Sequence, residues 1–350
     1  MRAMVLTEYG RLELAEMPAP EAGPGEVLVR VEACGICGSD VHGFDGSTGR
    51  RIPPIVMGHE AAGTIAAVGA RVMGYGVGDR VTFDSTIFCG TCEFCLRGEV
   101  NLCDNRQVIG VSCGEFRRHG AFAELVVLPE RILYELPADF SFSDAAMLEA
   151  VSVGLHGVKV LELSGQETVL VIGAGMIGLL ALQAAKALGC ARAICADVDA
   201  TRLELAKQVG ADETICASGD ELVAAVLTLT AGRGVDAVIE AVGRKETVAA
   251  AIDAVRKGGR VSLVGNLASE VVLPLQKVVT RQIRLQGSCA SAGEYPLAIE
   301  LIAAGKIQVR PLISAVAPLE EGPRWFERLH SREPNLMKVI LSPTAGVEAR

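Results

Sequence analysis

Residues 169–188 constrain this chain more than any other stretch. A short apolar run, Val169-Leu170-Val171-Ile172, passes directly into Gly173-Ala174-Gly175-Met176-Ile177-Gly178 and then into a helical pattern that Gly189 ends. Glycine clusters are common in turns. One that leaves a strand and opens a helix matches the G-x-G-x-x-G dinucleotide fingerprint in the context that motif requires. Gly173 permits the tight turn, Gly175 lets a pyrophosphate approach the backbone, and Gly178 permits close helix–strand contact; Met176 and Ile177 begin the helix, whose N-terminus offers unpaired N–H groups. The pattern continues with a strand at 193–196, a helix at 201–209 closed by Gly210, and strands at 235–239 and 260–264. Such alternation predicts a doubly wound parallel sheet whose apolar strands are buried on both faces. Asp197 ends the second strand, 22 positions after Gly175. An acid there accepts hydrogen bonds from ribose hydroxyls and repels a 2′-phosphate, so NAD is expected in preference to NADP. Arg202 could reach such a phosphate, although Glu204 and Glu213 nearby favour a solvated helix position. Val264 and Asn266, where the 260–264 strand runs out, are expected beside the nicotinamide.

The first third of the chain has a different character. Val27, Val29 and Val31 alternate on one face of a strand, 61–68 is a second apolar strand, and glycines punctuate 74–78. This part reads as an irregular, mostly β domain. It contains Cys89-x-x-Cys92-x-x-Cys95-x7-Cys103. Four thiolates so spaced can close a tetrahedron on zinc with no open position, which makes a structural clip on a lobe (84–106) lacking its own core. An iron–sulfur cluster is the rival reading of the same spacing. A nucleic-acid-binding zinc ribbon is another, but 42 acidic against 33 basic residues, a net charge of -9, leave no basic surface for a phosphate backbone. No nucleic-acid partner is expected. The most apolar stretch, 169–185, is interrupted by glycines and too short for a membrane span, so no membrane partner is expected either. Eleven cysteines without a secretory signal in 350 residues suggest reduced thiols, metal ligands and a cytoplasmic setting.

Two further motifs lie between these regions: Gly35-Ile36-Cys37-Gly38-Ser39-Asp40-Val41-His42 and Gly58-His59-Glu60-Ala61-Ala62-Gly63. Individually they are ambiguous. Cys34 and Cys37 form a CxxC that a redox pair could use, and His59 could be an ordinary core histidine. Together with Met147-Leu148-Glu149-Ala150-Val151-Ser152-Val153-Gly154-Leu155-His156, the cysteine lobe and the fingerprint, the chain resembles the zinc-dependent medium-chain dehydrogenase/reductases, the family of the zinc alcohol, polyol and threonine dehydrogenases.

The resemblance implies an α/β protein. Residues 1–150 would form a GroES-like, mostly β catalytic domain and 151–286 a Rossmann NAD-binding domain, with 287–350 returning to complete the first. It implies two zinc ions per chain. Cys37 and His59 would ligate the catalytic one, Glu149 would be the third ligand of the sorbitol-dehydrogenase-like branch, and Glu60 a near-metal carboxylate that sometimes exchanges onto the ion. Asp40 is the candidate to orient His59, with turn capping as its other reading. By the same likeness Ser39 takes the substrate proton and His42 is the far end of a relay. The implied activity is NAD-dependent oxidation of a small secondary alcohol or polyol, or of its phosphate. Threonine-type amino-alcohol oxidation and a catalytically inactive NAD-binding sensor are the alternatives. Sorbitol dehydrogenases carry an aromatic residue where this chain has Gly43, and a Phe-Arg pair where it has Cys289-Ala290. Sorbitol itself is therefore not the expected substrate. Arg50-Arg51 reads as a solvated loop pair, with phosphate binding as the alternative. Family members are homodimers or homotetramers, and an outer strand around 278–285 is the expected joining edge.

Overall fold

The computed structural model describes residues 1–113 and 116–343. The chain forms two compact units, Met1–Glu149 together with the chain from Leu312 onward, and Ala150–Pro311. No helix among the described residues is long and apolar enough to cross a membrane.

The first unit is built on one long strand, Glu26–Gly35, whose Val27, Val29 and Val31 are buried as their alternation predicts. It runs antiparallel to Glu60–Val68 along most of its length, to Leu125–Pro129 near its start and to Lys338–Ser342 at its end. These strands belong to a seven-stranded sheet. The register at its end matters for function. Gly35 lies opposite Glu60 on one neighbour and Ile340 on the other. A Cβ at Gly35 would fall 2.6 Å from Glu60 Oε2. Only a bare backbone lets the Glu60 carboxylate lie across this strand. The core beneath includes Met4, Leu6, Phe83 and Phe122, with Phe326 of the helix Gly322–His330 packed edge-on against Phe122 at 5.7 Å.

The second unit is a six-stranded, all-parallel sheet in the order Glu213–Cys216, Arg192–Asp197, Thr168–Ile172, Val235–Glu240, Val255–Leu263, Arg284–Gly287. The order reverses beside Thr168–Ile172, which is where doubly wound sheets bind ligands at their carboxyl ends. Every residue of Val235–Glu240 is buried, as a strand covered on both faces requires.

Two expectations are revised. Residues 287–311 belong to the second unit, and the return begins at Leu312. Polar contacts tie that segment down: the Gln183 side chain pairs with the backbone of Gln308 at both ends (2.7 and 3.2 Å), and Glu294 accepts from His156 and Lys159. The outer strand is also shorter than expected. Pro274 caps a helix, Leu275–Thr280, and the edge strand covers only Arg284–Gly287. The β-branched run Val278-Val279-Thr280 has strand propensity, but it lies in the helix that Pro274 opens, with only Val278 packed against the core.

Candidate metal centres and dinucleotide site

Cys89, Cys92, Cys95 and Cys103 bring their sulfurs within 4.8 Å of one another. Cys92 precedes the short helix Glu93–Leu96 that carries Cys95, and Cys103 follows the 3-10 turn Val100–Leu102. Cys89 Sγ lies 3.9 Å from Cys95 Sγ, close to the edge of about 3.8 Å that a tetrahedron with Zn–S bonds of about 2.3 Å requires. Sulfurs this close cannot surround a four-iron cube. Backbone N–H groups of Thr91 and Cys92 point at Cys89 Sγ (3.4 and 3.3 Å), and these bonds, those from Thr91 foremost, pull that thiol down to about 5. The donor set fits a closed zinc site.

The second cluster assembles from separate elements of the same unit. Cys37 caps the helix Gly38–Phe44, His59 immediately precedes the strand Glu60–Val68, and Glu60 is that strand's first residue. One ligand atom from each lies within 4.8 Å of the others. Glu149 falls outside that group, but its carboxyl senses His59, Glu60, Asp84 and Lys338. Burial first, with Glu60 and Asp84 adding to it, pushes it up to about 7, and its nearest donor is Ser85 Oγ at 3.3 Å. Cys34 and Cys37 are both free thiols, and burial holds Cys34 well above the ordinary thiol value, which does not favour a redox pair.

His59 is oriented as a metal ligand would be. Its Nδ1 is buried 3.3 Å from Asp40 Oδ1, at an angle that makes no good hydrogen bond, and Nε2 turns towards Ser39 Oγ at 3.5 Å. Burial opposes a charge on the ring, yet Asp40 and Cys37 outweigh it and raise its pKa. The site thus attracts positive charge, which a bound cation would supply in place of a proton. Asp40 is placed for both of its readings. Its Oδ1 faces His59 and its Oδ2 accepts from the Cys37 backbone in a capping box at 3.3 Å. Burial penalises its charge, but His59 and Arg51 hold it at about 2.

Two partners escape the sequence reading. Arg51 is not a solvated loop residue. It is 4 % exposed, and its Nη2 donates to Ser39 Oγ and Asp40 Oδ1, each at 3.0 Å. Lys338 is buried and donates to Glu60 Oε2 at 2.5 Å and Ile36 O at 3.2 Å. A charged residue at the start of a late strand carries no local signal of such a role. Arg51 carried a signal only in being one of a basic pair. His42 lies on the helix with Ser39 and lines a cavity of about 240 Å³ with Asp45, His330 and Arg332.

In the second unit the three glycines behave as the fingerprint requires. Gly173 has φ +99°, a Cβ at Gly178 would fall 1.8 Å from Gly173 O, and one at Gly175 would meet nothing within 4 Å. The space over Gly175 is open, as a pyrophosphate cradle needs. Gly175 precedes the helix Met176–Ala187, whose first turn, with Met176 and Ile177, has no side-chain cap. Asp197 Oδ2 accepts from Ala174 N at 2.6 Å and Oδ1 from Asp199 N at 2.9 Å, so the carboxylate stands at the glycine loop. Val264 and Asn266 follow the end of Val255–Leu263, and Val264 N donates to Glu240 O at 2.9 Å. Arg202 is exposed with its Nε 3.7 Å from Asp199. Glu213, its expected neighbour, is held by Arg192.

A β-rich unit with a largely buried cysteine–histidine–glutamate cluster and a closed four-cysteine lobe, in one chain with a dinucleotide-binding sheet, defines a metal-dependent dehydrogenase. Comparison with known proteins agrees. The pattern described as "Alcohol dehydrogenase GroES-like domain" matches residues 23–138, and that described as "Zinc-binding dehydrogenase" matches 177–304. The chain is 33 % identical over 348 residues to the sorbitol dehydrogenase of Bacillus subtilis, covering 98 % of this chain and 97 % of the relative. It is 38 % identical over 303 residues to the L-idonate 5-dehydrogenase of Vitis vinifera, covering 84 % and 81 %. A Sinorhizobium meliloti protein assigned as a zinc-binding dehydrogenase, solved with NADP bound, superposes with a TM-score of 0.88 at 33 % identity, covering 98 % and 99 %. The chain belongs to the zinc-dependent medium-chain alcohol dehydrogenase family. It is an oxidoreductase of the alcohol and polyol class that uses zinc and a nicotinamide cofactor.

Proposed function

We propose that the protein oxidises a small secondary alcohol or polyol, free or phosphorylated, to a ketone, with NAD as the acceptor. The observation that carries this reading is the convergence of Cys37, His59 and Glu60 within 4.8 Å, with the half-buried Glu149 carboxyl in electrostatic reach of His59 and Glu60. In this reading Cys37, His59 and Glu149 hold the catalytic zinc. Thiolate and carboxylate balance the ion's charge, and three protein ligands leave one position for substrate. Glu60, held by Lys338, stands next to that position. Zinc there supplies a Lewis acid that makes an alcohol far more acidic, and NAD supplies the hydride acceptor.

The chain's own residues handle the proton and the orientation. Ser39 Oγ, 3.3 Å from Cys37 Sγ, takes the substrate proton, and His42, three residues on and facing a cavity, is the outer end of the relay. Asp40 holds His59 with Nε2 towards the metal position. Gly173, Gly175 and Gly178 receive the pyrophosphate, and Asp197 receives the ribose and disfavours a 2′-phosphate. Cys89, Cys92, Cys95 and Cys103 hold a second, structural zinc. Gly43 and the missing Phe-Arg pair at Cys289-Ala290 support a substrate other than sorbitol. The open strand Arg284–Gly287, with the exposed Leu275 and Val279 preceding it, supports assembly into a homodimer or homotetramer.

The test is a panel of secondary alcohols, polyols and polyol phosphates at alkaline pH, followed by NADH absorbance and paired with metal analysis. Turnover of at least one member and two zincs per chain are expected. Glu149→Ala is expected to lose one zinc and keep the lobe's. NAD binding without turnover of any alcohol identifies a sensor and refutes the reading. Preferred turnover of L-threonine moves it to amino-alcohol oxidation.

A further inference from the structure

Gly43 is buried on the helix Gly38–Phe44, and it has no positive φ that would demand glycine. The room around it demands glycine instead. A Cβ at Gly43 would fall 2.5, 3.0 and 3.1 Å from Cγ, Cδ and Cβ of Arg51. The aliphatic stem of Arg51 therefore lies directly on the bare helix backbone. That path delivers the guanidinium to the metal cluster, where one nitrogen, Nη2, reaches Ser39 Oγ and Asp40 Oδ1 at 3.0 Å each. Its two N–H bonds diverge in the guanidinium plane, so a single nitrogen fixes the distance between the proton-accepting hydroxyl and the carboxylate that faces His59. Ser39 accepts from Arg51, and its own hydrogen is thereby aimed elsewhere, towards Cys37 Sγ at 3.3 Å.

Both Nη2 protons are committed to Ser39 and Asp40, and Nε is buried without a partner. A buried guanidinium that leaves a donor unsatisfied is held there by the bonds it does make.

We propose that Arg51 is the positioning residue of the catalytic metal site, and that Gly43 is required because it admits the Arg51 stem. The inference rests on the zinc-site reading above. Arg51 holds the Asp40 carboxylate in place, Asp40 faces the His59 ring in its ligating orientation, and Ser39 is set at the same time. Partners behind a metal's ligands contribute roughly 10–100-fold to metal affinity or activity.

The experiment compares Gly43→Ala, Arg51→Ala, Arg51→Lys and the double variant Gly43→Ala/Arg51→Ala. Zinc retention is measured against a chromophoric chelator, with the lobe zinc as internal control, alongside kcat and KM. Gly43→Ala and Arg51→Ala are each expected to weaken the catalytic zinc by roughly 10–100-fold, leave the lobe zinc in place, and lower kcat more than they raise KM. Arg51→Lys restores the charge but not the planar fork, and recovers part of the loss. The double variant is expected to lie close to Arg51→Ala alone, because the approaches to Cγ and Cδ are gone and only the 3.1 Å approach to Cβ remains. Gly43→Ala removes no charge and carries the test even where Arg51→Ala does not fold. Wild-type zinc retention in either folded single variant overturns the proposal, as does a Gly43→Ala effect of equal size with and without Arg51. A wild-type protein that holds only the lobe zinc refutes the zinc-site reading itself, a result distinct from both.

Discussion

Lys338→Met tests whether the buried Lys338–Glu60 pair is set by tertiary structure in the way described. Lys338 and Glu60 have side chains 3 % and 1 % exposed and are 2.5 Å apart. Water can compensate neither charge. Removing the cation leaves a carboxylate buried beside Cys37 and Glu149, and breaking a buried pair from one side costs about 3–5 kcal/mol. The lost bond to Ile36 O, at 3.2 Å, adds about 1 kcal/mol. For a folding unit of this size the loss corresponds to roughly 8–24 °C in Tm. The assay is built into the chain. Its one tryptophan, Trp325, lies on the helix Gly322–His330 of the same unit, so tryptophan fluorescence reports the unfolding of that unit. Glu60→Gln/Lys338→Met is expected to recover most of the stability, because no bare charge remains. The penalty of the single variant is expected to be larger in chelated than in zinc-loaded protein, since a divalent ion partly replaces the ammonium. A single variant within about 1 kcal/mol of wild type, the range of an exposed ion pair, refutes the reasoning. So does a double variant no more stable than the single one.

Three further outcomes are expected. Asp197→Ala narrows the ratio of kcat/KM for NAD over NADP, and an unaltered ratio removes Asp197 from ribose recognition. Cys92→Ser sheds the lobe zinc and lowers stability or disturbs assembly while the catalytic zinc stays; a stable, correctly assembled variant argues against a structural lobe. Glu167, where burial is outweighed by N–H donors from Ser164 and Gln166 and by Arg260, is held at about 2. A depressed carboxyl stabilises the fold above its ordinary pKa of about 4.5, and that contribution disappears as pH falls towards 2. Glu167→Gln is therefore expected to cost up to about 3 kcal/mol at pH 7, with the gap to wild type closing below pH ~4.5 in denaturation curves; a gap independent of pH refutes it.

Much of the architecture is legible in the sequence. Strand periodicity, the glycine spacing at 173–178 and the cysteine spacing at 89–103 each encode a local backbone conformation, and the structure reproduces them. The motifs around Cys37 and His59 were also legible, because a short helix cap and a strand start keep their ligands at a fixed local offset. The Val278–Thr280 run has real β propensity, but Pro274 opens a helix across it, and a proline N-cap outweighs three β-branched residues there.

Within the chain itself, then, lay the identities of the candidate metal-ligating residues and the local geometry that presents them. What surrounds those candidates was decided only by the tertiary structure. Lys338 meets Glu60 through the antiparallel register that sets Gly35 between Glu60 and Ile340, 278 positions of chain separating the paired charges. Arg51 is buried because Gly43 leaves a channel for its stem. Side-chain periodicity reports which face of an element is apolar, but it does not report which distant element that face will meet. The cost of a buried charge is settled by exactly that meeting, once both partners have left water.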